Sequence, residues 1–342
     1  MKKTKGGNFP MEKRCTLFIV SMLTLLFLVA GCGGLKINIG TESRKEPLKE
    51  FTLEGKEKGK VLIVPIRGFL SDSPRKGFLR ERASIVEEVV SQLRMAEKDE
   101  EIRAVLLEIN SPGGSTTASD ILYHEIVAFK ERTKTKIVAA LMDVATSGGY
   151  YIALPADRVV AHPTTITGSV GVIFVVPKVN GLMNKLGLAV EVNKSGSEKD
   201  IGSPFRPSTP EEQRILQELT DNLGKRFLSL VAKHRPIDSK DLINVSTARI
   251  YLAQEAMQLK LIDNIGYLND ALSEAKALAG LSKEAKVVVY RRSEYPNDNI
   301  YNTSGALYGE ASLSLIDLNL PDIIPDLNPG FYYLWAPGAS IN

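Results

Sequence analysis

The sequence predicts an α/β fold with a mostly parallel sheet. Short apolar, β-branched runs recur along the chain, stretches of one to four helical turns separate them, and the most distinctive Gly-rich loops directly follow such runs. With 342 residues, 44% hydrophobic and 24% charged, the chain has enough apolar sequence for one large domain or two small ones. That composition excludes a disordered chain and a disulfide-stapled mini-protein.

Lys60-Val-Leu-Ile-Val-Pro-Ile-Arg67 reads as the first strand, followed by a loop and an amphipathic helix from about Ala83 to Glu97. Ile102 to Ile109 is the next strand and Ser119 to Arg132 the next helix. Lys136 to Met142 repeats the strand pattern, and a short helix carrying Tyr150 to Ala153 follows Ser147-Gly148-Gly149. Thr209-Pro210-Glu211-Glu212 is a helix start with Thr209 as N-cap, Pro210 at the first turn and Glu212 completing a capping box; that helix should run to about Lys233. A further helix runs through Ala279, and Lys286 to Tyr290 is the last strand. No internal repeat is present. Beyond Ser293 the Leu-, Pro- and Asn-rich sequence has no clean period and is expected to stay out of the sheet.

Ahead of the body, Lys2, Lys3, Lys5, Lys13 and Arg14 precede an apolar run from Leu17 to Ala30 that closes on Gly31-Cys32-Gly33-Gly34. This is the pattern of an export signal. Val29-Ala30-Gly31-Cys32 resembles a bacterial lipobox, in which the cysteine, here Cys32, is lipidated; an uncleaved signal anchor is the alternative. Both place the body on a membrane, at the extracytoplasmic face. The expected division is a signal or anchor over 1–31, a solvated tether over 32–59, a folded body over 60–293 and a tail over 294–342.

Lys and Arg number 43 against 40 Asp and Glu, a net charge of only +3, which argues against nucleic-acid binding. Both cysteines, Cys15 and Cys32, precede the body, so it holds no Cys-based zinc site or disulfide framework. Three scattered histidines, His124, His162 and His234, make a His-rich metal site improbable.

Two loops carry the chemistry. Asn110-Ser-Pro-Gly-Gly-Ser115 and Ala145-Thr-Ser-Gly-Gly-Tyr150 each follow a strand, so in a parallel sheet both sit at carboxyl ends, where sites of α/β folds collect. A Gly-Gly pair lets the backbone turn with N–H groups facing a ligand, and beside a serine this describes an oxyanion hole next to a hydroxyl nucleophile. Two tight turns with Ser147 as a helix N-cap is the plainer alternative. A nucleophilic serine needs a base. The histidines are poorly placed for that role, and the other solution is a lysine kept neutral by burial in an apolar cleft.

Asn110-Ser-Pro-Gly-Gly-Ser115, Ala145-Thr-Ser-Gly-Gly-Tyr-Tyr-Ile-Ala153, Thr167-Gly-Ser-Val-Gly-Val-Ile173 and Lys199-Asp-Ile-Gly-Ser-Pro-Phe-Arg-Pro207 together resemble the signal peptide peptidase A family of bacterial serine–lysine peptidases, in its short, single-domain form. The resemblance runs from about Lys60 to Ala279. It implies a Clp/crotonase-like fold of stacked βαβ units, Ser147 as nucleophile, Lys199 as general base and Ser169 as a supporting hydroxyl. It also implies Gly114, with Gly113 and Gly148, around the oxyanion hole. Lys194 is the competing lysine, and Glu198 and Asp200 flank Lys199 closely enough to hold it charged if they faced it. The family further implies a homo-oligomer, an octamer in the short form, with the dyad shared between adjacent protomers. Its substrates are remnant signal peptides cut within their apolar segment, and it requires no metal or organic cofactor. A crotonase-like acyl-CoA enzyme would leave Ser147 without a role, and a silent scaffold would be expected to lack Ser147 or Lys199. The tail after Ser293 is apolar and aromatic enough to occupy the protein's own substrate groove; oligomer packing or membrane contact is the alternative.

Overall fold

The computed structural model describes residues 47–76, 81–295, 298–303, 329–335 and 337. The export segment, Cys15 and Cys32 lie outside the described residues. In chain order the structure runs β1 (Lys49–Glu54), β2 (Glu57–Arg67), the two-residue strands β3 (Arg75–Lys76) and β4 (Glu81–Arg82), then α1 (Ile85–Ala96). Next come β5 (Ile102–Ser111), β6 (Gly113–Ser115), α2 (Thr116–Thr133), β7 (Lys136–Thr146) and α3 (Gly148–Tyr151). Then follow β8 (Arg158–Ala161), β9 (Ile166–Gly168), β10 (Ile173–Val175), α4 (Asn180–Leu186) and α5 (Pro210–His234). The body closes with α6 (Ser239–Val245), β11 (Ile250–Leu252), α7 (Ala253–Gln258), β12 (Asn264–Ile265), α8 (Leu268–Leu278) and β13 (Ala285–Arg291), and β14 (Gly330–Leu334) follows in the tail.

The main sheet has the order β1-β13-β2-β5-β7-β8-β12, with β9 and β11 continuing from the end of β7. Pairing is parallel from β13 through to β12 and between β7 and β9, and antiparallel only at β1 with β13 and β9 with β11. The parallel α/β architecture follows from strands apolar on both faces. In β2, Leu62, Val64 and Ile66 point into one core layer and Val61 and Ile63 into the other. The first layer is closed by α1 and α2 through Val89, Leu93, Leu122, Ile126 and Phe129; the second by α8 through Leu268, Ala271, Leu272 and Ala275.

The predicted capping box is present: the Glu212 N–H donates to Thr209 Oγ1 at 3.1 Å, and the Thr209 N–H donates to the Glu212 carboxylate at 2.8 Å. Two boundaries differ from expectation. The stretch assigned to a tether enters the sheet at Lys49, because Lys49-Glu-Phe-Thr-Leu-Glu54 is a half-buried edge strand whose charges read as solvated sequence. Phe51 lies under the Arg291 guanidinium at 4.5 Å, and Lys60 Nζ ties the edge down through Glu50 at 3.0 Å and Asp99 at 2.8 Å. The described residues of the tail stay out of the main sheet, yet residues 330–334 are a strand, and residues 298–303 pack on the body through Ile300, Thr303 with Glu108, and Asp298 with Arg291 at 2.6 Å.

Candidate active site

Ser147 links β7 to α3 at φ 51° and ψ −116°. A non-glycine residue persists in such a conformation only where its surroundings impose it. Here the Ser147 N–H donates to the Gly168 carbonyl and the Ser147 carbonyl accepts from the Tyr151 N–H, both at 2.8 Å. The residue holds the N-cap position of α3 but its side chain makes no capping bond. Its hydroxyl, on a residue only 1% exposed, has among the described residues a single distant acceptor, the Gly171 carbonyl at 3.5 Å. A serine on a strained strand-to-helix turn with its hydroxyl left over is the arrangement of a nucleophile elbow.

Ser169 arrives by register. Parallel pairing sets Ala145 against Thr167 and Thr146 against Gly168, so the following residues, Ser147 and Ser169, emerge side by side. Ser169 shares the φ of 51° and is held by its N–H on the Arg249 carbonyl at 2.8 Å.

The two glycine turns meet backbone to backbone. Gly113 has φ 104°, and a Cβ there would fall 1.9 Å from the Tyr333 carbonyl oxygen and 2.8 Å from the Gly148 nitrogen. A Cβ on Gly148 would lie 3.0 Å from the same carbonyl oxygen, and one on Gly114 would lie 2.0 Å from the Leu70 carbonyl. The Gly113 N–H donates to Ser111 Oγ at 3.1 Å, and that hydroxyl donates to the Gly68 carbonyl at 2.7 Å, fixing the turn.

The space between these turns is filled by part of the tail, as a strand that no local sequence signal marks. β14 lies antiparallel to both β6 and β10, with Tyr333 opposite Gly114 and Phe331 opposite Phe174. The Tyr333 ring is buried against Tyr151 (stacked, centroids 4.9 Å apart) and Phe227 (5.1 Å), and its hydroxyl donates to the Leu223 carbonyl at 3.1 Å. Burial pushes the Tyr333 phenol up to about 12, so it stays a donor at any ordinary pH. Behind the pocket, Tyr151 donates to Asp120 at 2.6 Å, and Arg226 holds the same carboxylate at 2.6 Å. The Tyr150-Tyr151 doublet was visible beside Ser147 in the sequence; the Leu223 contact is a backbone carbonyl and left no signal.

Ser147, Ser169, Gly113, Gly114 and Gly148 are therefore brought together, and Lys199 is not. Lys199 is exposed on a turn after α4, and its ammonium makes no hydrogen bond or ion pair with the described residues. Lys194 is engaged, with Asp200 at 2.6 Å and the Ser197 carbonyl at 2.7 Å. Each histidine lies elsewhere: His124 is exposed on α2, His162 Nδ1 is 2.8 Å from the Thr164 hydroxyl, and His234 Nε2 is 2.8 Å from the Tyr123 hydroxyl. Burial holds His234 below its ordinary pKa. Among the described residues no group of His, Cys, Asp and Glu is arranged to hold a metal, and no helix is long and apolar enough to cross a membrane.

The parallel sheet with a glycine-bounded site at its strand ends defines a class, the serine peptidases built on a Clp-like α/β fold. Residues 80–166 match Clp protease and residues 129–282 match peptidase family S49. A protein of Enterococcus faecium named as a signal peptide peptidase SppA is 33% identical over 253 residues, 74% of this chain and 72% of that one. A Synechocystis protein named as a protease is 34% identical, covering 66% of this chain and 76% of its own. One from Methanocaldococcus jannaschii, also named as a protease, is 37% identical, covering 58% of this chain and 63% of its own. The chain belongs to peptidase family S49, the SppA-type serine peptidases.

Proposed function

We propose that this chain is a membrane-associated endopeptidase that cleaves remnant signal peptides and other apolar peptides within their hydrophobic segment, using Ser147 as nucleophile and Lys199 of an adjacent copy as general base. The observation that carries the reading is β14: an extended apolar segment lies antiparallel between β6 and β10 with a carbonyl oxygen wedged between Gly113 and Gly148, one residue from Ser147. Pairing on both edges grips the main chain of any extended peptide, and pockets on alternate residues select its side chains.

In this reading the Lys199 amine takes the proton from Ser147 Oγ as the oxygen attacks the substrate carbonyl carbon. The oxyanion is stabilised by the backbone N–H groups of Gly114 and Gly148. The intermediate collapses, the C–N bond breaks, Lys199 returns the proton to the leaving amine, and water hydrolyses the acyl-enzyme by the same route in reverse. Ser169, beside Ser147 in register, aims the lysine. The pocket of Tyr151, Phe227 and the Leu223 carbonyl favours a large aromatic side chain on the acyl side of the scissile bond.

Two observations support a shared dyad. The Lys199 ammonium has no partner among the described residues, and the segment around it exposes Leu182, Leu186, Leu188, Val190, Val192 and Phe205. An apolar strip of that kind is covered in a stable assembly, and we assign it to the neighbouring copy of a homo-oligomer, an octamer by resemblance. Residues 1–31 then serve as signal or anchor, Cys32 as the lipidation site, and the tail as an autoinhibitory segment. Cleavage of an apolar signal-peptide mimic by wild type, Ser147→Ala and Lys199→Ala tests the dyad: activity should vanish in both variants with the oligomer intact. Retained turnover in Lys199→Ala would mean another base.

A further inference from the structure

Lys199 has an acidic neighbour on either side, and a lysine that is to act as a base must not be paired with either. Asp200 is the one held. Its Oδ1 accepts from Lys194 Nζ at 2.6 Å and from Arg206 Nη2 at 2.8 Å, and its Oδ2 accepts from Arg206 Nε at 2.9 Å. The other side of the same guanidinium grips Glu212, with Nη1 donating to Oε2 at 2.9 Å and Nη2 to Oε1. Glu212 is buried and caps the 25-residue helix α5, so the clasp is rooted in a rigid element.

We infer that Arg206 is a positioning residue for the base: by occupying the Asp200 carboxylate it keeps that carboxylate from pairing with Lys199. The inference rests on the assignment of Lys199 made above. Two cations, Lys194 and Arg206, meet two carboxylates, Asp200 and Glu212, so the clasp beside the lysine carries no net charge. Other charged groups on this turn and its supports include Glu198, which forms no ion pair among the described residues, Lys178, which donates to the Ser203 carbonyl at 2.7 Å, Lys185 on α4, and Glu211 on α5, which is paired with Arg214 at 2.7 Å. The neighbouring copy brings the hydroxyls of Ser147 and Ser169. Arg206 and Lys194 also hold the Asp200 carboxyl well below the usual carboxylate range, so it is an anion throughout the working pH range. Released from Arg206, that anion would be one residue from the nearest free ammonium.

The test is the pH dependence of kcat/KM for an apolar peptide, measured on the assembled full-length enzyme. Arg206→Ala is expected to displace the rising limb by about one to two pH units to the alkaline side, lowering the rate at neutral pH about ten- to a hundredfold while largely preserving the alkaline plateau. Adding Asp200→Asn to the same chain should return the limb towards wild type. A structural role alone predicts a lower plateau with the limb unmoved, or a displaced limb that Asp200→Asn does not return, and either result overturns the proposal. Should Arg206→Ala fail to assemble, Arg206→Gln keeps a hydrogen-bond donor for buried Glu212 while removing the charge that holds Asp200, and an unmoved limb there overturns it as well. Lys199→Ala separates the two ideas. Activity retained in it overturns the base assignment and this inference together; activity lost in it with an unmoved limb in Arg206→Ala overturns the clasp alone.

Discussion

Ser147 and Gly113 are the two residues whose backbone geometry the proposed chemistry needs most directly. Ser147→Ala leaves a φ of 51° to be adopted by another small residue, so the expected result is loss of turnover by at least about 10⁴-fold with a near wild-type melting temperature. At Gly113 the obstacle is steric: a Cβ 1.9 Å from one backbone oxygen and 2.8 Å from a backbone nitrogen meets no side chain able to swing aside. Gly113→Ala should therefore cost about 10²-fold or more in kcat through distortion of the oxyanion hole, read by steady-state kinetics beside a thermal melt. Ser147 was legible in the sequence because it follows a strand and precedes a Gly-Gly pair, whereas Ser169 was named only through the family resemblance. Which lysine is unpaired was not legible, because Lys194 and Lys199 differ only in whether Arg206 and Asp200 fold back onto one of them.

At the scale of elements, α5 and β14 behave oppositely. The start of α5 is written in four consecutive residues, and Thr209→Ala removes a cap worth about 1 kcal/mol, which a denaturant melt would register as a lowered midpoint. Because Glu212 also anchors Arg206, the same substitution reaches the Lys199 turn. β14 has no comparable local signal. Gly330-Phe-Tyr-Tyr-Leu334 becomes a strand because β6 and β10 offer it two edges and because Tyr333 buries its ring between Tyr151 and Phe227. Tyr333→Ala deletes that anchor, at about 3 kcal/mol for a buried aromatic ring, and is expected to raise activity on added peptide as the groove empties more often. Unchanged or reduced activity with an intact oligomer would count against occlusion of the groove by the tail.

For the whole molecule, the proposed division of the site between copies would make activity a property of the assembly. Mixing Ser147→Ala protomers with Lys199→Ala protomers under conditions of subunit exchange should restore part of the activity that each lacks alone, since some sites then combine an intact serine with an intact lysine. No recovery in exchanged mixtures would place the dyad within one chain. Truncation after Thr303 keeps the packed residues 298–303 and removes β14; the expected product is a more active enzyme of the same oligomeric size, measured by peptide turnover and light scattering.

The amino-acid sequence by itself determined what depends on near neighbours: strands from continuous apolar runs such as Val61–Val64, the capping box of Thr209 and Glu212, and turns at Gly113-Gly114 and Gly148-Gly149. These rest on hydrogen bonds and burial patterns spanning a few residues, so their signature is local. Only the tertiary structure decided that Lys49–Glu54 joins the sheet, that Ser147 and Ser169 stand in register, that residues 330–334 lie against 113–115, and that Asp200 belongs to Arg206. The reason is one of range. An edge strand and a tether share a composition, and a carboxylate that follows two lysines looks the same whichever it pairs with. The difference lies in partners supplied by chain folding, such as Ser115 and Tyr332, 217 residues apart in sequence.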